Sequence, residues 1–224
     1  MRATVDFVKE QDTATLLPLL LLLPGLDGPE LRALVERCAF SHAALLVFPP
    51  DEAALDATLA DCGLVADARP RPSAVVRERL AVRHKRCAAE LDVRILRPAV
   101  DSLDGARRMV EVFTLTVPPG SDLDPVAAHE RERQHEAHVA FEVEAPDPLV
   151  LRGLHGLRTV RRYLRRRRLQ PHENGTVFYF TTPAAAKAGY GRVELYVPAT
   201  TATSSPPTST STASGSPPRP CCAC

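Results

Sequence analysis

Ala137-His-Val-Ala-Phe-Glu-Val143, followed by Ala145-Pro-Asp147, is the stretch on which the fold turns, because an earlier stretch repeats its plan. In Ser41-His-Ala-Ala-Leu-Leu-Val-Phe48 a short apolar run again carries a histidine in second position, and Pro49-Pro-Asp51 again follows it. Short apolar runs bounded by turn residues read as strands, and an Asp opening an amphipathic stretch reads as a helix start. The first helix is predicted over Glu52 to Leu64, with Leu55, Leu59 and Cys62 on one side. The second carries Val150, Leu154, Leu157 and Leu164. Each half then closes on an alternating strand with a central glutamate, Met109-Val-Glu-Val-Phe-Thr-Leu115 in the first and Arg192-Val-Glu-Leu-Tyr-Val197 in the second.

Further strands are expected at Ser73 to Val82, Ala89 to Leu96 and Thr176 to Thr181, and the one lacking from the second half is sought within Arg168 to Asn174. His42 and His138 are 96 positions apart but Glu111 and Glu194 only 83, so the first half carries about thirteen extra residues, assigned to loops such as Arg97 to Ala106. The expected fold is α+β: two βαβββ modules forming a cupped mixed sheet with helices outside. The divisions are an N-terminal helical extension over 1–40, a first module over 41–117, a linker over 118–136, a second module over 137–197, and a disordered Thr/Ser/Pro-rich tail over 198–224.

Strand side chains alternate between faces. With Val139, Phe141 and Val143 turned toward the helix, His138, Ala140 and Glu142 take the opposite face. The same phase puts Arg192, Glu194 and Tyr196 beside His138, on a concave face expected to be free of helices. His42 and Glu111 fall at the equivalent positions of the first half, among the greasier Phe113 and Leu115. Two imidazoles and a carboxylate on one face match a facial triad, a ligand set that leaves coordination positions open.

On these residues the chain resembles the vicinal oxygen chelate superfamily, which includes glyoxalase I, extradiol dioxygenases and fosfomycin-resistance proteins. The resemblance covers roughly positions 41 to 197. It rests on His138 to Val143, on Thr176-Val-Phe-Tyr-Phe180 before Arg192 to Tyr196, and more weakly on Ser41 to Phe48 and Val110 to Leu115. It implies metal ligands at His42, His138 and Glu194, with Glu111 as a candidate fourth, and a small-molecule substrate. Three ligands would resemble an extradiol oxygenase holding iron(II), and four would resemble glyoxalase I. The apolar surroundings of Glu111 tilt the expectation toward a non-haem Fe(II) dioxygenase, with zinc, nickel or manganese as other metals. A glyoxalase-like lyase or isomerase, and a metal-free binding (resistance) protein, are the alternatives. Tyr196 and His172, the latter in the turn Pro171-His-Glu-Asn-Gly175, are the candidate acid–base residues. The resemblance departs over Thr182 to Tyr190, where a compact Asp-Pro-Asp-Gly turn is usual.

Composition bounds the rest. The 28 basic and 27 acidic residues nearly cancel, so no polyanionic partner is expected, and the run Arg161 to Arg168 reads as the solvated face of the second helix. Seven leucines between Leu16 and Leu23 are too few to span a bilayer and lack the flanks of a secretory signal. Six cysteines, three single and three crowded at Cys221, Cys222 and Cys224, form no disulfide framework. The expectation is therefore a cytoplasmic protein with no nucleic-acid or membrane partner, whose modules pair within the chain or, as a homodimer, between chains. His129 and His135 lie in a charged segment without the HExxH spacing and read as surface residues. His84, in Arg83-His-Lys-Arg86, reads as part of a solvated basic turn.

Overall fold

One strongly curled mixed sheet organises the chain in its computed structural model, which describes residues 1–20, 29–65, 70–144, 147–150, 152, 168–170, 175–180 and 189–198. Nine strands are described: β1 (Cys38–Val47), β2 (Arg71–Pro72), β3 (Val93–Leu96), β4 (Ala99–Asp101), β5 (Arg107–Leu115), β6 (His138–Val143), β7 (Arg168–Gln170), β8 (Gly175–Phe180) and β9 (Arg192–Pro198). Their order is β2-β3-β5-β1-β6-β9-β8-β7, with β4 also paired to β5.

That order contains one arrangement twice. The first strand of each half lies parallel to its last, β1 to β5 and β6 to β9, and the intervening strands run outward antiparallel. The halves meet at the antiparallel pair β1–β6. This is the α+β architecture of paired modules that the repeat predicts, and β7 supplies the strand sought after Arg168.

Matching turns start the matching helices. Asp51 accepts the Ala54 N–H at 2.8 Å and so caps α4 (Glu52–Asp61), while Asp147 accepts from Leu149 and Val150 at 2.8 and 2.9 Å where residues 148–150 turn helical. Each side chain satisfies donors that the first turn leaves without a partner. Leu154, Leu157, Leu164 and Arg161 to Arg167 lie outside the described residues, and Arg168 belongs to β7.

Four expectations are corrected. Ser73 to Val82 is not a strand: it contributes α5 (Ala74–His84), with Val76, Leu80 and Ala81 buried at helical spacing. The adjacent valines suggest a strand, but burial follows the three-to-four-residue period. The extra length of the first half is largely this helix, and Arg97 to Ala106 includes β4 instead of being all loop. The charged segment expected to act as a linker forms α6 (Asp124–Arg133), with Pro125 in its first turn and Val126, Ala127 and Glu130 turned inward. α5 and α6 both pack on the concave side of the sheet against Ala44, Phe48, Phe113 and Leu115. The concave face of the first half is thus not free of helices. Phe113 and Leu115 are the cause, since apolar side chains on that face must be kept from water.

The opposite face carries α4 and the N-terminal helices α1 (Arg2–Glu10), α2 (Thr13–Leu20) and α3 (Pro29–Glu36), packed on Phe40, Val139, Phe141, Val193 and Leu195. Leu16 and Leu17 are buried there, which gives part of the leucine run a core role. α3 ends at Glu36 and β1 begins at Cys38, slightly before the expected strand start. Arg108 fixes α1 to the sheet: its guanidinium donates to the Val8 and Gln11 carbonyls at the helix C-terminus, pairs with Asp104, and stacks 5.0 Å from the Phe40 ring. Among the described residues no helix is long and apolar enough to cross a membrane.

Candidate metal centre

Register brings four separated residues together. Ala44 on β1 pairs with Glu111 on β5 and with His138 on β6, so these two flank one alanine. Ala140 on β6 likewise pairs with His42 on β1 and with Glu194 on β9. Two rows cross the middle of the sheet, each with a histidine and a glutamate around a methyl group too small to separate them. All four ligand candidates line one cavity of ≈ 560 Å³, together with Arg79, Arg97, Tyr179 and Tyr196.

Within it His138 Nε2 lies 3.6 Å from Glu111 Oε2 and 3.6 Å from Glu194 Oε2, and His42 Nε2 lies 3.9 Å from Glu111 Oε2. The imidazole centroids are 5.6 Å apart. His42, Glu111 and His138 each offer a ligand atom within 4.8 Å of the others. An ion about 2.0–2.2 Å from each donor holds neighbouring donors about 3–4 Å apart, so the spacing fits a cation.

Hydrogen bonding fits as well. The Nδ1 of His138 faces the Glu136 carbonyl oxygen at 2.8 Å, and an acceptor there requires Nδ1 to carry the proton. Nε2 is left with a bare lone pair, buried and without a hydrogen-bond partner, and His42 Nε2 is orphaned in the same way. Buried polar atoms normally find partners, so two that point at one spot mark a place for a ligand. Burial, partly offset by Glu194 and Glu111, holds the His138 pKa below the ordinary imidazole value and favours the neutral, metal-binding form. For Glu111 burial works upward, but His42, His138 and Arg97 outweigh it and keep the carboxyl below its usual range. Arg97 is the permanent charge among them, donating from Nε to Glu111 Oε1 at 2.8 Å while Oε2 faces the imidazoles.

Behind the cavity lies a second cluster that sequence reasoning missed. Glu136, fully buried, receives Arg79 at 2.9 Å, Arg83 at 2.7 Å and Arg192 at 3.0 Å. Burial would raise its pKa, yet Arg192, Arg79 and Arg83 lower it to about 2. The residue that orients His138 through its carbonyl is therefore itself clamped through its carboxylate. Tyr179 was also missed, although alternation in Thr176 to Phe180 places it in the phase opposite Phe178. It pairs in register with Glu194, and both Arg79 and Arg192 lie over its ring. Burial first, then Glu194, raises the pKa of its phenol, which therefore keeps its proton. Arg79 was hidden because its helix reads as a strand.

Of the two acid–base candidates, Tyr196 lines the cavity, its ring so close to Gly175 that no side chain would fit there. His172 lies outside the described residues.

No family model matches the chain, and no curated protein matches its sequence. Among solved structures the chain is similar to a variant of Streptomyces coelicolor methylmalonyl-CoA epimerase in complex with 2-nitronate-propionyl-CoA. The identity is 14%, the match covers 71% of this chain and 96% of that one, and the TM-score is 0.37. A second variant of that enzyme with the same ligand gives 13% identity, 72% and 94% coverage and a TM-score of 0.38. A methylmalonyl-CoA epimerase in complex with methylmalonyl-CoA and NH4+ gives 14%, 72%, 94% and 0.36. Likeness of this order carries no argument about chemistry.

Proposed function

We propose that the chain is a metal-dependent enzyme that moves a proton on a small oxygen-chelating substrate, a lyase, isomerase or epimerase of the glyoxalase type, with His42, Glu111, His138 and Glu194 holding one divalent ion. The observation that carries the reading is the position of Glu111 Oε2, 3.9 Å from His42 Nε2 and 3.6 Å from His138 Nε2. His42, Glu111 and His138 converge by themselves, and Glu194, 3.6 Å from His138 on the other side, would make the donor set four. Three protein donors would leave room for both a chelating substrate and dioxygen, whereas four would leave room for the substrate alone. A three-donor site would need one of the two glutamates to stand aside; Arg97 holds Glu111 in place, and Tyr179 stands across from Glu194.

Bound there, the ion would act as a Lewis acid toward a carbonyl oxygen and so acidify the adjacent C–H. The chain's own groups account for the remainder. Glu111, pinned by Arg97, stays an anionic donor. Glu194, across from Tyr179, is the carboxylate placed to take and return the proton, with the phenol holding it in position. His138 is kept neutral by burial and oriented by the Glu136 carbonyl. Arg79 and Arg97 on the lining favour a substrate with negative charge, and ≈ 560 Å³ suits a small acid or acyl group.

The test is a panel of 2-oxo acids, 2-hydroxy ketones, catechols and acyl-CoA thioesters, including the methylmalonyl-CoA named in the similar structures. Each is incubated with metal-loaded protein in deuterated water, with dioxygen monitored. Deuterium entering the substrate at the carbon beside a carbonyl without oxygen uptake, and lost in Glu194→Gln, is the expected result. Oxygen consumed in step with substrate would return the protein to the dioxygenase reading, with iron as its metal. No metal retained, together with unaltered ligand binding in His138→Ala, would make it a metal-free binding protein.

A further inference from the structure

A second group of imidazoles lies outside the cavity, where α5 and α6 end side by side. His84 is the last residue of α5, and His129 and Glu130 are adjacent on α6. Gln134, in the left-handed region at φ 46°, ends α6 and turns the chain so that His135 folds back beside them. His84 Nε2 lies 2.7 Å from Glu130 Oε1, His129 Nδ1 3.6 Å from the same oxygen, and His135 Nδ1 3.5 Å from Glu130 Oε2. The His129 and His135 rings stack at 5.4 Å, and the His84 ring meets His129 edge-on at 5.1 Å.

We propose that His84, His129, His135 and Glu130 form a second cation site, for a borderline divalent ion of the zinc class. His84, His129 and Glu130 each offer a ligand atom within 4.8 Å of the others, close enough for one ion to draw together, and His135 Nδ1 stands 3.5 Å from the second Glu130 oxygen. Glu130 is almost wholly buried and its Oε2 has no hydrogen-bond partner, although it is turned toward His135. Burial and the nearby Arg83 hold the His135 pKa below the ordinary value, which favours the neutral ring a metal requires. Arg83 also donates to Glu130 Oε1 at 2.7 Å, leaving Oε2 as the free donor. Arg83 reaches Glu136 with its other nitrogen, so an ion here would tie both helix ends to the segment that carries Glu136 and leads into His138.

The proposal does not rest on the function assigned to the cavity, and one experiment separates the two. The full chain, stripped of metal, is titrated with Co2+ and then Zn2+, reading cobalt absorption and bound equivalents per chain. The wild type is expected to bind two equivalents. His129→Ala/His135→Ala should bind one, and His84→Ala, on the other helix, should lose the same one. His42→Ala/His138→Ala should keep it. His129 and His135 side chains are 44% and 40% exposed, so their truncation leaves the core intact, which far-ultraviolet circular dichroism checks. Zn2+ should also raise the Tm of His42→Ala/His138→Ala but not that of the variant combining all four substitutions. Two equivalents persisting in His129→Ala/His135→Ala, or none remaining in His42→Ala/His138→Ala, would overturn the second site.

Discussion

Glu111 and Glu136 are both buried carboxylates within the same curled sheet, and their surroundings differ in one respect. Both oxygens of Glu136 have donors, Arg83 on one and Arg79 with Arg192 on the other, and its pKa falls to about 2. Around Glu111 the set is incomplete, since Arg97 satisfies one oxygen while the other faces two imidazole nitrogens that have no partner. A closed cluster stabilises; an open one waits for a ligand. The pair shows how to separate structural ion pairs from a site when both are buried and both have perturbed titration.

The largest effect that would sharpen this contrast is expected from His138→Ala, which should abolish metal binding in the cavity while changing thermal stability little, because removing the orphaned, buried Nε2 offsets the lost bond from Nδ1 to the Glu136 carbonyl. Isothermal titration with a melting curve reads both, and a large loss of stability would place His138 with the closed cluster. Glu136→Ala should do the reverse, costing about 3–5 kcal/mol in urea unfolding because three guanidiniums lose their partner, while folded protein keeps its metal stoichiometry. Acid should act through the same residue. Glu136 has its pKa lowered from 4.5 to about 2, so the stability it contributes is complete above about pH 4.5 and is lost as the pH falls toward 2. The loss should amount to roughly 3 kcal/mol and should be missing from a Glu136→Gln unfolding series. The smallest effect is expected from Arg97→Ala, where Glu111 keeps its charge but loses its anchor. Metal affinity should fall about 10–100-fold with little change in Tm, the signature of a residue supporting a ligand. An unchanged affinity would mean that Glu111 does not need Arg97 to face the imidazoles.

Much of this was legible in the chain. The repeated run with its histidine and the Pro-Asp turn predicted two strands, two helices and two closing strands, and strand phase put His42, Glu111, His138 and Glu194 on one face. Those are local signals: alternation, turn residues, and a repeat whose two copies check each other. The errors fell where a local signal had two meanings. Val75-Val76 suits a strand as well as a helix, and the sequence around it gave no way to know that Phe113 and Leu115 needed a cover that only a helix could provide. The segment from Asp124 to Glu136 is so charged that solvent exposure was the natural reading, yet Glu136 is among the most deeply buried residues of the protein.

The sequence by itself determined the module and its duplication, because the period of apolar side chains and the chemistry of a turn act within a few residues. What only the tertiary structure decided is which charges meet. The distance between His138 and Glu111 depends on both taking register with Ala44 from opposite sides, and the burial of Glu136 depends on arginines from α5 and β9 arriving together. Coulomb and hydrogen-bond energies fall off over a few ångströms, whereas the residues concerned are separated by tens of positions, so no local pattern in the chain could encode them.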